Sequence, residues 1–151
     1  MLKEGTTAPA FTTKDSNGTT VKLKDFRGGK VVLYFYPIDD TPGCTKEACS
    51  FRNDFSEFKK RGIAVLGVSP DSQAAHKRFT EKYKLPFTLL ADVDHSISNA
   101  YGVYGQKKFM GRTYLGVNRT TFLIDEKGKI KKVFDRVKPE EHAQEVLEAF
   151  A

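Results

Sequence analysis

The most reactive side chains in this sequence are its two cysteines, Cys44 and Cys49, and both lie in one short stretch. From Pro37 to Cys49 the chain reads P-I-D-D-T-P-G-C-T-K-E-A-C. The residues before it, Val31 to Tyr36, are of strand type, and a helical pattern follows. A strand, a tight turn and a helix start bring unpaired backbone N–H groups to one spot. Thr41 suits the N-cap and Pro42 the first helical position, which sets Gly43 at N2 and Cys44 at N3. An acidic side chain occupies N3 in a capping box. A thiol at that position therefore sits in a place suited to an anion, and its thiolate form should be favoured. The competing reading is a buried, inert thiol, since cysteine is among the most often buried residue types. The turn argues against it, because it sets the sulfur beyond a strand end, where α/β sheets place their sites.

The elements that must hold this stretch can be read in order. Residues 11 to 23 suggest a hairpin turning at Asn17-Gly18. Lys30 begins a strand that is apolar on both faces and so belongs in the middle of a sheet. The pattern after Cys44 predicts one helix to about Lys60, with Cys44, Ala48, Phe51, Phe55 and Phe58 as its inward stripe. Ile63 to Val68 reads as a second buried strand, followed by a helix capped by Asp71 or Ser72 and broken by Pro86. Phe87 to Leu90 is a short strand. Asp92 and Asp94 are caps for a helical segment near Ile97 to Tyr101, with no chemistry assigned. Gly102 to Gly116 shows no clear period and suggests a loop with one edge strand. Arg119 to Asp125 and Lys129 to Asp135 form a strand pair turning at Glu126-Lys127-Gly128, and Pro139 opens a last helix. The order predicts a mixed sheet with helices on both faces.

Pro37, Thr41 and Cys44 match the P-x-x-x-T-x-x-C signature of peroxiredoxins, and Cys49 five residues on resembles the bacterioferritin comigratory protein (peroxiredoxin Q) subfamily. Three further segments resemble the same family in its order: A-P-A-F near the start, D-F-R-G-G-K, and R-T-T-F-L-I-D at 119 to 125. Ala10 departs from it, standing where the family usually has an acid. The resemblance implies a thioredoxin-like fold with an N-terminal β-hairpin extension, occupying residues 1–151 as one domain. It implies a peroxidase whose Cys44 thiolate attacks the O–O bond and becomes a sulfenic acid. Cys49 would resolve that acid as an intramolecular disulfide, and thioredoxin would reduce it. Thr41 would hydrogen-bond the thiolate or the peroxide, and Pro37 would shield the sulfur. Arg119, read from the residues alone, is a surface ion pair. The resemblance makes it the active-site arginine that holds the thiolate and polarises the peroxide. Substrates would be hydrogen peroxide and organic hydroperoxides, with no metal, haem or flavin, and the protein would be a monomer.

Two other function classes stay open on the residues. One is dithiol exchange on protein substrates, although C-x4-C differs from the C-x-x-C of thioredoxins. The other is a binding or structural domain that has lost its chemistry. The totals narrow the field further. A chain of 151 residues with 39% hydrophobic and 29% charged residues is long enough for one well-formed core. The net charge of +6 comes from lysines and arginines spread through every segment, which argues against nucleic acid as a partner. No apolar run approaches a membrane span, and the N-terminus lacks the apolar core of a signal peptide, so a cytoplasmic location is expected. In that compartment two close cysteines suggest metal or redox chemistry. His76, His95 and His142 stand too far apart in sequence to complete a tetrahedral site, which disfavours zinc.

Overall fold

The computed structural model describes residues 2–150, with the backbone alone of Phe109. Its elements run β1 (Thr12–Asp15), β2 (Thr20–Lys22), β3 (Lys30–Phe35), α1 (Pro42–Asn53), α2 (Phe55–Lys60), β4 (Ile63–Ser69) and α3 (Gln73–Tyr83). They continue with β5 (Thr88–Ala91), α4 (Ser96–Ala100), β6 (Tyr104–Phe109), β7 (Arg112–Val117), β8 (Thr120–Ile124), β9 (Ile130–Asp135) and α5 (His142–Phe150). Seven strands form one mixed sheet in the order β2-β1-β5-β4-β3-β8-β9, while β6 and β7 form a sheet of their own. Strands β3, β4 and β5 are parallel, and β8 runs antiparallel to β3.

The centre of the sheet explains the apolar run of β3. Val32 and Tyr34 pack with Ala48, Phe51 and Phe58 in one cluster. Val31, Leu33 and Phe35 face the other way, towards Ile97, Tyr101 and Phe122. A strand covered on both faces has no polar side, so period-2 alternation disappears from its sequence. Tyr34 stacks on Phe51 at 4.8 Å between ring centroids and on Tyr36 at 5.4 Å. This aromatic layer lies beneath the helix that carries the cysteines, and buried Cys44 is part of the same cluster.

Three sequence expectations are corrected. The helix expected to run to Lys60 is two helices, because Asp54 leaves helical geometry at φ −103°, ψ 9°. Asn53 and Asp54 are poor helix-interior residues that compete for backbone hydrogen bonds, and here they interrupt the helix. The N-terminal hairpin is expected to turn on Asn17-Gly18 and to reach Leu23. It does turn through Asn17-Gly18, with Gly18 at φ 80°, but the connection is longer, Ser16 to Thr19, with Asp15 Oδ1 accepting from the N–H groups of Asn17 and Thr19 at 2.9 Å. The second strand stops at Lys22, before a 3-10 turn that starts at Leu23. The segment expected to be a loop with one edge strand is a regular hairpin, β6–β7. Met110 and Gly111 turn it with φ of 52° and 77°, the left-handed pair that two-residue hairpin turns require. Arg112 to Leu115 are all exposed, so no alternation marks the strand.

The capping expectations at Ser72 and Asp92 hold. Ser72 accepts from Ala75 N–H at the start of α3. Asp92 accepts from Ile97 and Ser98 N–H at 2.9 and 2.8 Å.

Gly67 in β4 packs against this aromatic layer. A Cβ there would lie 2.8 Å from Leu89 Cδ2 and from the Tyr34 ring and hydroxyl. Gly67→Ala is expected to destabilise the protein by about 1–3 kcal/mol through overpacking. Denaturant unfolding measures this, and an unchanged midpoint would show that Tyr34 moves aside freely.

Candidate active site

The chain leaves β3 at Tyr36 and enters α1 at Pro42 through five residues, two of them fixed by side chains from α3. Asp40 has φ 60°, a left-handed conformation that a non-glycine residue adopts at a cost. Its carboxylate accepts from Lys82 Nζ and Tyr83 Oη, each at 2.8 Å. Asp39 is held more deeply. Tyr36 Oη donates to Asp39 Oδ1 at 2.5 Å, His76 Nδ1 meets Asp39 Oδ2 at 2.7 Å, and Asp39 N–H donates to Asp71 at 2.8 Å. His76 Nε2 lies 2.9 Å from Leu90 O, which can only accept, so Nε2 carries a proton. Asp39, Asp71 and His76 offer ligand atoms within 4.8 Å of one another, but each is already engaged in this network.

Thr41 occupies the N-cap position, as expected, but its hydroxyl does not cap the helix. It donates to Ile38 O at 2.9 Å and closes the loop on itself. Among the described residues, the N–H groups of the first turn of α1 thus have no side-chain acceptor. Cys44 sits over this turn, buried, and faces Arg119, which lies between β7 and β8. Arg119 Nη2 is 3.2 Å from Cys44 Sγ, and Arg119 Nη1 is 2.6 Å from Glu47 Oε1. One planar guanidinium spans the sulfur and a fully buried carboxylate three residues further along the helix. Such a fork can hold two anions in fixed geometry, which a lysine cannot do. Gly43 permits the approach, since a Cβ there would stand 3.1 Å from Arg119 Nη2.

Burial pushes the Glu47 carboxyl up to about 7, against the nearby guanidinium that favours its charged form. Glu47 Oε2 has no hydrogen-bond partner among the described residues. Burial works against the Arg119 charge, but Glu47 and Cys44 outweigh it and raise its pKa. Lys107, midway along β6, is lowered by burial and by the Arg119 charge, with Cys44 opposing.

The AhpC/TSA family model matches residues 5–133. The chain belongs to the AhpC/TSA family. Among its relatives is peroxiredoxin Bcp of Escherichia coli K12, 49% identical over 146 residues that make up 97% of this chain and 94% of the relative. A cysteine-to-serine variant of PrxQ from Xylella fastidiosa superposes with a TM-score of 0.94 at 32% identity, covering 99% of this chain and 96% of that one. The bacterioferritin comigratory protein of Xanthomonas campestris, described for its alkyl peroxide reduction activity, superposes at 0.88 with 37% identity, covering 92% and 88%. The thioredoxin-like fold inferred from the sequence is the fold of these peroxiredoxins, and the N-terminal hairpin packs on the sheet edge beside β5.

In this family member the structure brings two of the five predicted site residues into contact, Cys44 and Arg119. Thr41 is close in sequence but turned to Ile38, and half-buried Pro37 stands two residues beyond the end of β3. Cys49 lies on α1 with an unbonded, half-buried sulfur. Sequence reasoning missed Glu47, Gly43 and the Asp39–His76 pair. Glu47 had a signal: at i+3 from Cys44 it stands on the inward stripe of α1, a place where an acid needs a partner. His76 at i−3 from Phe79 was on an inward face in the same way.

The raised pKa of Glu47 has a sign. Between its ordinary value of 4.5 and about 7 the folded chain binds a proton that the unfolded chain has lost. Stability therefore falls as pH rises through this window. Unfolding of the native protein and of Glu47→Gln at pH 5 and pH 8 is the measurement. The native protein is expected to lose stability relative to the variant on going to pH 8. A difference independent of pH would mean that Arg119 keeps Glu47 ionised throughout.

Proposed function

We propose that this protein is a thiol-dependent peroxidase that reduces hydrogen peroxide and organic hydroperoxides at Cys44. The observation that carries the reading is the guanidinium of Arg119 at 3.2 Å from a buried sulfur at a helix N-terminus. Thiolate is the reactive form, and the sulfur has the Arg119 guanidinium and the start of α1 beside it. The thiolate attacks the terminal peroxide oxygen, the O–O bond breaks, and the leaving oxygen departs as hydroxide or alkoxide to take up a proton. Arg119 stabilises the charge that develops on that oxygen in a site with little water. Thr41 can offer its hydroxyl to the peroxide by turning away from Ile38. Pro37 acts by shape, screening the sulfur.

Cys49 then attacks the Cys44 sulfenic acid, releasing water and forming the disulfide. Both cysteines lie within α1. In a regular helix residues five apart have Cα atoms about 8.7 Å apart, beyond the roughly 7 Å reach of a disulfide. The first turns of α1 must unwind for the bond to form. The unwinding has physical limits at either end. Asp39 and Asp40 stay pinned to α3, and Ser50 Oγ accepts from Ala143 N–H at 3.1 Å. Thioredoxin is the proposed donor that reopens the disulfide, and the active species is a monomer in the cytoplasm.

Peroxide loss coupled to thioredoxin, with glutaredoxin and glutathione as alternative donors, tests the function. A protein disulfide exchanger would turn over thiols without consuming peroxide. Cys44→Ser is expected to abolish peroxide reduction with the fold intact, and normal turnover in that variant would remove Cys44 as nucleophile. Cys49→Ser should be oxidised once, with dimedone trapping its sulfenic acid.

The redox-linked unwinding predicts faster amide exchange after oxidation, confined to residues 42 to 50. Equal protection in both redox forms would exclude it.

A further inference from the structure

The β6–β7 hairpin plays no part in the main sheet and takes no direct part in the chemistry proposed above. Among the described residues it is hydrogen-bonded to no other strand. Its base is fixed, since Val103 and Val117 are buried and Asn118 N–H donates to Val103 O at 2.8 Å. The rest projects as an arm. Met110 is 87% exposed, Leu115 63% and Tyr114 46%, three of the five large exposed apolar side chains of the described residues. Apolar side chains of this size on a projecting hairpin are a surface built for contact.

The charge of the arm has one sign. Residues 95–124 contain no Asp or Glu, although the chain holds 19 acidic residues, and this span carries Lys107, Lys108, Arg112 and Arg119. The hairpin register places these residues. Lys107 stands opposite Tyr114, and Lys108 opposite Thr113. Directly opposed residues share a face, so Arg112, Tyr114 and Lys107 line one side of the arm and Lys108 and Leu115 the other. The Lys107 stem lies over Gly116 and its Nζ donates to Val117 O at 3.0 Å, turning that charge towards the base. Val117 stands two residues before Arg119, so the base of the arm adjoins the site.

We propose that this arm is the docking surface for an acidic dithiol protein that reduces the Cys44–Cys49 disulfide, an assignment that rests on the reading of the two cysteines given above. A peroxide needs no surface of this kind. A disulfide does, because this chain has only two cysteines and its electrons must come from another molecule. The partner thiolate attacks the Cys49 sulfur, forming a mixed disulfide as the Cys44–Cys49 bond breaks and Cys44 leaves as thiolate. The partner's second thiol then displaces Cys49, which takes up the proton, and the partner departs as its own disulfide. Two electrons pass to the peroxidase. Lys108 and Arg112 steer the negatively charged partner, and Tyr114 and Leu115 supply apolar contact once it arrives.

The test uses the full chain and the double variant Lys108→Glu/Arg112→Glu, with Tyr114→Ala/Leu115→Ala as a second variant that leaves charge alone. Three rates are measured: turnover driven by a thioredoxin of net negative charge, turnover driven by dithiothreitol, and single-turnover oxidation of Cys44 by peroxide. The kcat/KM for thioredoxin is expected to fall roughly tenfold or more on charge reversal at low salt. The native value should drop as salt rises, while that of the reversed variant should not. Dithiothreitol turnover and peroxide oxidation should be unchanged in both variants. Native-like thioredoxin kinetics in both variants would overturn the proposal. A matching loss of peroxide oxidation would assign the arm to the peroxide site instead, and a dimer abolished by charge reversal would assign it to self-association. If the native protein fails to react with peroxide, the peroxidase reading itself is at fault. Dithiothreitol and thioredoxin reduction of a chemically formed disulfide would still test the docking.

Discussion

The site depends on one cation that is asked to serve two anions. Arg119 presents one nitrogen to the Cys44 sulfur and another to the Glu47 carboxylate, and all three groups are wholly or largely buried. Burying charge is costly unless it is paired. Here the pairing is unequal, since one positive charge faces a carboxylate and a potential thiolate. Charge on the carboxylate offsets part of the guanidinium field at the sulfur. Glu47 therefore orients Arg119 and also sets how much of its field reaches the sulfur.

The neighbouring structure keeps that geometry from relaxing. Gly43 leaves room for the guanidinium, and the stacked rings of Tyr34, Tyr36 and Phe51 give α1 a rigid floor. On the other side the Asp39–His76–Leu90 chain of hydrogen bonds ties the loop to α3 and β5. Asp40 holds a left-handed backbone that a free loop would abandon, and Lys82 and Tyr83 stabilise it. Functional sites accept such local strain where the surroundings fix it.

This rigidity is confined to the edges of the segment that the proposed disulfide requires to move. Between the pins at Asp39–Asp40 and at Ser50 lie both cysteines and the first turns of α1, whose N–H groups have no side-chain cap. A helix start without a cap forgoes roughly 1 kcal/mol. That lowers the cost of opening while the phenylalanines further along the chain keep the core closed. Thr41 serves this economy by bonding to Ile38 and not to the helix.

The sequence by itself determined the places of local signals. The two-sided apolar run of β3, the Thr41-Pro42 helix start, the caps at Ser72 and Asp92 and the spacing of the two cysteines are all properties of neighbouring residues. The family likeness rested on such local strings too. What failed locally were the balances between weak preferences: whether Asn53-Asp54 breaks a helix, and whether an exposed hairpin shows any period. Tertiary structure alone decided the rest. Arg119 is 75 residues from Cys44 and Asp39 is 37 from His76 in the chain, and no short-range pattern could pair them. The burial of Glu47 and the direction of the Thr41 hydroxyl were likewise settled by packing, because a side chain takes the partner that the fold brings within reach.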